Sequence, residues 1–270
     1  IIVKMILPFT KCHANGNDFI ITHLDDFPEE KRTKYIISRL CCRHTGIGAD
    51  GLFVVSPSNK YDFILDYYNS DGSFETLCAN GSRCAVQLMH KNGIIENKTV
   101  FLAGDGPHSA ETLKNGAVSM QMKTPKYRSS LISPAGCDGY FIDSGARHFV
   151  FESENLNDDF VYHLARKIRF SNTFKPHGIN VNFYRPADKQ TVDVKTYEKG
   201  IEEVMLSCAS GSTAVVFHLS KIKCIDSPVL VRSAGGNLIL NFDAAWNDVW
   251  VEGPAEILFT GNFKLDLISE

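Results

Sequence analysis

Two stretches of this 270-residue chain share one pattern built around a cysteine. The first is Leu77-Cys78-Ala79-Asn80-Gly81-Ser82-Arg83-Cys84-Ala85-Val86; the second, 130 residues later, is Ser207-Cys208-Ala209-Ser210-Gly211-Ser212-Thr213-Ala214-Val215-Val216. In each, cysteine is followed by a small residue, a polar residue, glycine and serine, after which the run turns apolar. That order reads as a loop opening a buried helix. The first backbone N–H groups of a helix have no intrahelical partner, and the aligned peptide dipoles leave partial positive charge there. Such an end holds a carboxylate and favours a thiolate. A lone cysteine reads as a small, inert core residue. Two copies of one turn point instead to a pair of working thiols that flank one ligand.

The elements that must carry these thiols are duplicated as well. His13 to Ile20 precedes Ser144 to Val150 by about the same offset, and Gly46-Ile47-Gly48-Ala49-Asp50 similarly precedes Gly178-Ile179-Asn180-Val181-Asn182. Thr99 to Gly104 is matched by Leu230 to Gly235, and Val118 to Met122 by Val249 to Gly253. Matches at nearly one offset mean two homologous halves. We divide them as 1–128 and 129–270, with room for C-terminal residues to pack onto the first half. In the first half the pattern predicts strands over 6–11, 19–21, 52–55 and 63–68 and a helix over 28–42. In the second it predicts a strand over 140–143, a helix near 156–170, and strands over 182–185 and 191–197. The polar stretch 123–135, with two prolines, reads as an interdomain link.

Bulk properties narrow the classes. A net charge of −3 with no basic stripe gives no reason to expect nucleic acid. No apolar run is long enough to cross a membrane, and the opening 1–5 lacks the apolar core of a signal peptide, so the chain reads as cytoplasmic. Eight scattered cysteines form neither a secreted disulfide scaffold nor a metal-binding knuckle pair. The glycine run 46–51 follows no strand and precedes no lysine, so it is not read as a phosphate loop.

His13 to Phe19, Gly46 to Gly51, Asn69 through Cys84, His148, Asn180, Glu198 to Gly200 and Cys208 to Gly211 together resemble the diaminopimelate epimerase family over nearly the whole chain. The resemblance implies an α/β chain of the α+β type. Its two pseudo-symmetric domains would each wrap a curved, mostly antiparallel sheet around a central helix, with the active site in the cleft between them. It implies a cofactor-free epimerisation of LL-diaminopimelate to the meso form, within lysine and peptidoglycan precursor synthesis, on a small amino-acid substrate and with no metal. A homodimer is compatible with it. By the same resemblance Cys78 and Cys208 are the acid/base pair, and the amides of Ala79, Asn80, Ala209 and Ser210 hold the reacting carboxylate. His148 and Glu198 assist at the amine, and Asn17, Asn69, Asn180 and Lys199 bind substrate.

Some positions depart from the family pattern. Alanine replaces glycine after each cysteine, Ala146-Arg147 stands for an asparagine–proline pair, and Lys199 stands for an arginine that grips a distal carboxylate with a planar fork. Val204-Met205 replaces a glutamate–threonine pair. A related racemase of another amino acid therefore stays open as an alternative, as does a non-catalytic binding protein or a dithiol redox protein.

Overall fold

The computed structural model describes residues 5–268; the residues 1–4 of the opening read above against a signal peptide lie outside them. The chain forms two compact units, 1–120 with 254–270 and 121–253.

In the first unit, Ile6–Ala14 and Asn17–His23 form a tight hairpin. Its corner is Asn15-Gly16, both with positive φ (52° and 80°), the two-residue turn that matches strand twist. The chain then crosses through helix α1, Lys34–Cys41, to Gly51–Ser56, which lies parallel to Asn17–His23. Ile64–Asn69 pairs antiparallel with it, followed by helix α2, Ala79–Lys91. Lys98–Ala103 returns parallel to Ile64–Asn69, and Gly106–Thr112 and Val118–Gln121 complete the meander. Glu256–Lys264 comes back at the end of the chain to pair with Ile6–Ala14. The sheet curls about α2, whose residues from Ala79 to Met89 are all buried.

The second unit repeats this order. Tyr140–Asp143 and Arg147–Glu152 are antiparallel, helix α3, Asp158–Arg169, crosses to the parallel strand Asn180–Asp188, and Thr191–Glu198 pairs antiparallel with that. Helix α4, Ala209–Lys221, then leads to Val229–Ser233, parallel to Thr191–Glu198, and to the meander Gly236–Phe242 and Val249–Gly253. α4 is also buried along nearly its whole length. The α+β architecture with one central helix per unit is therefore as expected. A helix buried all round can hold its N-terminal turn in one place, because every side of it is packed.

Three local readings change. The helix expected over 28–42 is a short 3₁₀ turn, Glu29–Lys31, followed by α1, because Thr33 caps a new start by accepting the Ile36 amide. The helix near 156–170 is Asp158–Arg169, capped by Asn157, which accepts the amides of Asp159 and Phe160. The stretch 123–135 is more than a link. Lys126–Tyr127 pairs with Tyr140–Asp143, Arg128 grips Asp143 at 2.7 Å, and the Tyr127 hydroxyl meets His218 at 2.9 Å. These bonds tie it into the second unit, 121–253.

Candidate active site

Both cysteines occupy the same backbone position. Cys78 and Cys208 are the N-cap residues of α2 and α4, each extended, with φ of −130° and −138°. The first intrahelical bonds run from Ser82 to the Cys78 carbonyl and from Ser212 to the Cys208 carbonyl, both 2.9 Å. The amides of Ala79 and Asn80, and of Ala209 and Ser210, therefore lie ahead of the helical ladder, at the positive end of the dipole. Neither thiol is in a disulfide and both are half-buried, as a proton-transferring group in contact with ligand requires. Cys84 is fully buried and burial holds its thiol well above the ordinary value, while Cys41 is pushed up to about 12 by the same cause. Neither suits acid/base work.

Around Cys78 the first unit builds a polar chain. Asn17 Oδ1 lies 3.9 Å from Cys78 Sγ and accepts from Asn80 Nδ2 at 3.2 Å. The other end of the Asn17 amide donates to Asp50 at 2.7 Å, which fixes which way the amide faces. Asp50 is held by Arg43 at 2.6 Å, and Arg43 also takes Asp18 at 2.7 Å. Lys11 closes the network, 2.6 Å from Asp18 and bonded to the Gly48 carbonyl. Burial alone would raise the Asp18 carboxyl, but Arg43 and Lys11 outweigh it and hold Asp18 at about 2. The glycine run 46–51 thus serves to deliver Asp50. Asn69 is more peripheral: it accepts from the Tyr67 hydroxyl at 2.5 Å and reaches Glu75 at 3.5 Å.

Around Cys208 the second unit builds a different chain. Asn182 is fully buried; its Oδ1 accepts from Thr196 at 2.9 Å and its Nδ2 donates to the Phe149 carbonyl at 3.1 Å. Those two bonds fix the amide, so the same Nδ2 must also donate to His148 Nδ1, 3.1 Å away. His148 therefore carries its proton on Nε2 and donates it to Ser210 Oγ at 3.0 Å. Ser210 Oγ lies 3.5 Å from Cys208 Sγ, which also receives the Gly211 amide at 3.4 Å. Burial pushes His148 down to about 4, against the weaker upward pull of Asn182 and Asp143, so the ring is neutral at physiological pH.

His148 is 0% exposed with both ring nitrogens engaged, and its Nε2 reaches the Ser210 hydroxyl that lies beside the Cys208 thiol. Asn180 and Lys199 come together, the Lys199 amide donating to Asn180 Oδ1 at 2.8 Å, with the Lys199 side chain exposed. Glu198 is half-buried at the end of its strand. Arg147, where the family has proline, is tied to the Gly178 carbonyl at 3.2 Å and lies over the Phe141 ring at 4.8 Å. Sequence reasoning passed over Asp50, Arg83 and Asn182. The signal for the last two is a polar residue inside an otherwise apolar buried run.

Among the described residues no group of ligating side chains could hold a metal ion, and no helix is long and apolar enough to cross a membrane.

A duplicated α+β chain with a cysteine capping the central helix of each half belongs to a fold class with solved examples. It superposes on a hydroxyproline epimerase from Agrobacterium vitis with a TM-score of 0.74 at 13% identity, covering 98% of this chain and 94% of that one. A PhzF-family phenazine biosynthesis protein from Bacillus anthracis gives 0.71 at 12% identity, over 96% and 99%. Sequence narrows the class. Residues 9–127 match the diaminopimelate epimerase family model. The chain is 36% identical to the diaminopimelate epimerase of Flavobacterium psychrophilum, over 92% of this chain and 97% of that one. It is 34% identical to that of Aquifex aeolicus, over 97% and 99%. This chain belongs to the diaminopimelate epimerase family and is an isomerase.

Proposed function

We propose that the chain interconverts LL- and meso-diaminopimelate by a two-thiol mechanism that uses no cofactor. The observation that carries this reading is the matched placement of Cys78 and Cys208 as the caps of two equivalent, fully packed helices. One sulfur, as thiolate, takes the Cα proton from one face of the substrate. The other, as thiol, gives a proton to the opposite face, and configuration inverts. A Cα–H is a far weaker acid than a thiol, so charge developing on the substrate carboxylate must be met by donors already in place. The amides of Ala79, Asn80, Ala209 and Ser210 supply them. Glu198 suits the substrate ammonium, and Asn17, Asn69, Asn180 and Lys199 suit its polar ends. His148 contributes by orienting Ser210. In this reading the protein is cytoplasmic and a homodimer; the exposed Ile6, Leu258 and Phe259, on paired strands of the first unit, support a contact face there.

The test is Cα exchange in heavy water. With LL-diaminopimelate the purified chain should take deuterium into Cα without added cofactor, and Cys78→Ala and Cys208→Ala should each lose epimerisation. Full turnover in either single variant rejects the two-thiol mechanism. Turnover of a simple monoamino acid, with none of diaminopimelate, rejects the substrate.

A further inference from the structure

α2 and α4 are alike in backbone and unlike in charge. On α2, Arg83 reaches back along the helix and its Nη1 donates to the Ala79 carbonyl at 3.4 Å. On α4, the equivalent Thr213 donates its hydroxyl to the Ala209 carbonyl at 2.8 Å. The same backward bond is made once by a cation and once by a neutral group.

Arg83 is fully buried. Its other partners are neutral: Nη2 donates to Asn15 Oδ1 and to Asn80 Oδ1, both at 3.0 Å, and Nε is buried without a partner. Among the described residues no carboxylate lies within ion-pair distance of it. Burial lowers the guanidinium to about 10, which leaves it charged at neutral pH. A buried cation calls for a counter-charge, and one beside the N-terminal turn of a helix is further opposed by the dipole. Two ionisable groups lie within its electrostatic reach, Cys84 and Cys78. Cys84 is fully enclosed and stays protonated. Cys78, half-buried at the helix mouth, is left to carry the negative charge.

We propose that Arg83 is a buried counter-ion that makes Cys78 the thiolate of the substrate-free enzyme, leaving Cys208 as its thiol. The assignment rests on the two-thiol reading above and goes beyond it by saying which sulfur starts as base. The proton released from Cys78 goes to solvent. Beside Cys208 the Ser210 hydroxyl and the Gly211 amide are neutral donors, and the position equivalent to Arg83 is the neutral Thr213; charge-assisted interactions are about twice as strong as neutral ones. On the elements beside α2, Lys11 and Arg43 answer Asp18 and Asp50, while His108 Nε2 lies 2.8 Å from Asp105 and His13 Nε2 3.6 Å from Glu256; His90 and Lys91 stand at the far end of α2 itself. Arg83 acts through the sulfur and is a positioning residue.

Alkylation by iodoacetamide, a neutral reagent, reads thiolate content without turnover. The full-length protein would be treated across pH 5.5–9.5 in the absence of substrate, and each cysteine followed by peptide mass spectrometry. At pH 7 Cys78 should react about tenfold faster than Cys208, with its rate midpoint about one pH unit lower. Arg83→Met should slow Cys78 about tenfold and leave Cys208 unchanged, while Arg83→Lys should restore most of the rate. A faster Cys208, coincident midpoints, or an unslowed Cys78 in Arg83→Met overturns the assignment. Should Arg83→Met not fold, the two midpoints of the unaltered protein decide the question. Failure of the two-thiol reading looks different: epimerisation would persist in Cys208→Ala whatever the alkylation order.

Discussion

His148 is useful to Cys208 because it is neutral and held in one tautomer, and both properties come from its neighbours. Its aromatic ring is sealed from water, and Asn182, itself fixed by Thr196 and the Phe149 carbonyl, leaves Nδ1 only the acceptor role. The Ser210 hydroxyl, receiving from Nε2, is then left to donate toward sulfur. Ser210→Ala should therefore slow the half-reaction in which Cys208 is the base by about tenfold, one neutral hydrogen bond, while Ser210→Thr keeps the hydroxyl and most of the rate; steady-state rates in the two directions check this. The same burial has a pH signature. An unfolded histidine takes up a proton near 6.5, whereas native His148 does so at about 4 and His218, also driven down by burial, at about 4. Between those values the unfolded chain binds more protons, so stability is full above pH 6.5 and falls as pH drops toward 4. His148 alone accounts for a loss on the order of 3 kcal/mol once both states are protonated. Urea midpoints should be flat from pH 8 to 7 and decline below 6.5. The decline should be shallower in His148→Gln, and an unchanged slope would show that the ring is not buried neutral.

At the scale of the element, the N-terminal turns of α2 and α4 each contain one glycine that packing demands. A Cβ at Gly81 would lie 2.0 Å from Phe53 Cε2, and one at Gly211 2.3 Å from Asn182 Oδ1. Phe53 has no room to yield, being stacked on Tyr67 at 4.6 Å and set edge-on to Phe19 at 5.3 Å. In an open helix, glycine to alanine gains up to about 1 kcal/mol, but overpacking a rigid core costs about 1–3 kcal/mol. Gly81→Ala should thus lower the melting temperature, and Gly211→Ala should do so while also displacing Asn182 and with it His148. Calorimetry and exchange rates measure the two effects; a stabilised Gly211→Ala would mean Asn182 is free to move. These helix starts are legible in the sequence because their signal is local: cap, small residue, glycine, then an apolar run. The break before α1 is hidden because the apolar spacing from Tyr35 to Leu40 continues a register that a proline at position 28 would open, while the deciding contact is the Thr33 hydroxyl. Lys126–Tyr127 is hidden because two residues become a strand only through a partner more than a dozen positions away. Asn182 and Arg83 show as polar residues in apolar runs, but which groups they serve depends on strands the sequence does not order.

The whole molecule inherits its plan from duplication, and the plan shows which part of the chain each unit needs. Both units run hairpin, helical crossover, antiparallel strand, cysteine-capped helix, meander. They differ in how the first strand is flanked. Tyr140–Asp143 takes the short Lys126–Tyr127 from the sequence just before it, while Ile6–Ala14 takes Glu256–Lys264 from the far end of the chain. The first unit therefore closes only after the second is complete, and β pairing across such a sequence separation is slow to form because loop closure precedes any reward. Deleting 254–270 should destabilise the first unit while leaving the second folded. The protein carries its own reporter: both tryptophans, Trp246 and Trp250, lie in the second unit, and Trp246 is buried against Phe217 and Phe242. In urea, tryptophan fluorescence should report nearly the same midpoint for the full chain and the deletion. Far-UV circular dichroism of the deletion should gain an earlier transition, by about 1 M or more given the usual dependence on exposed surface. A fluorescence midpoint that falls together with the dichroism would show that the two units unfold as one.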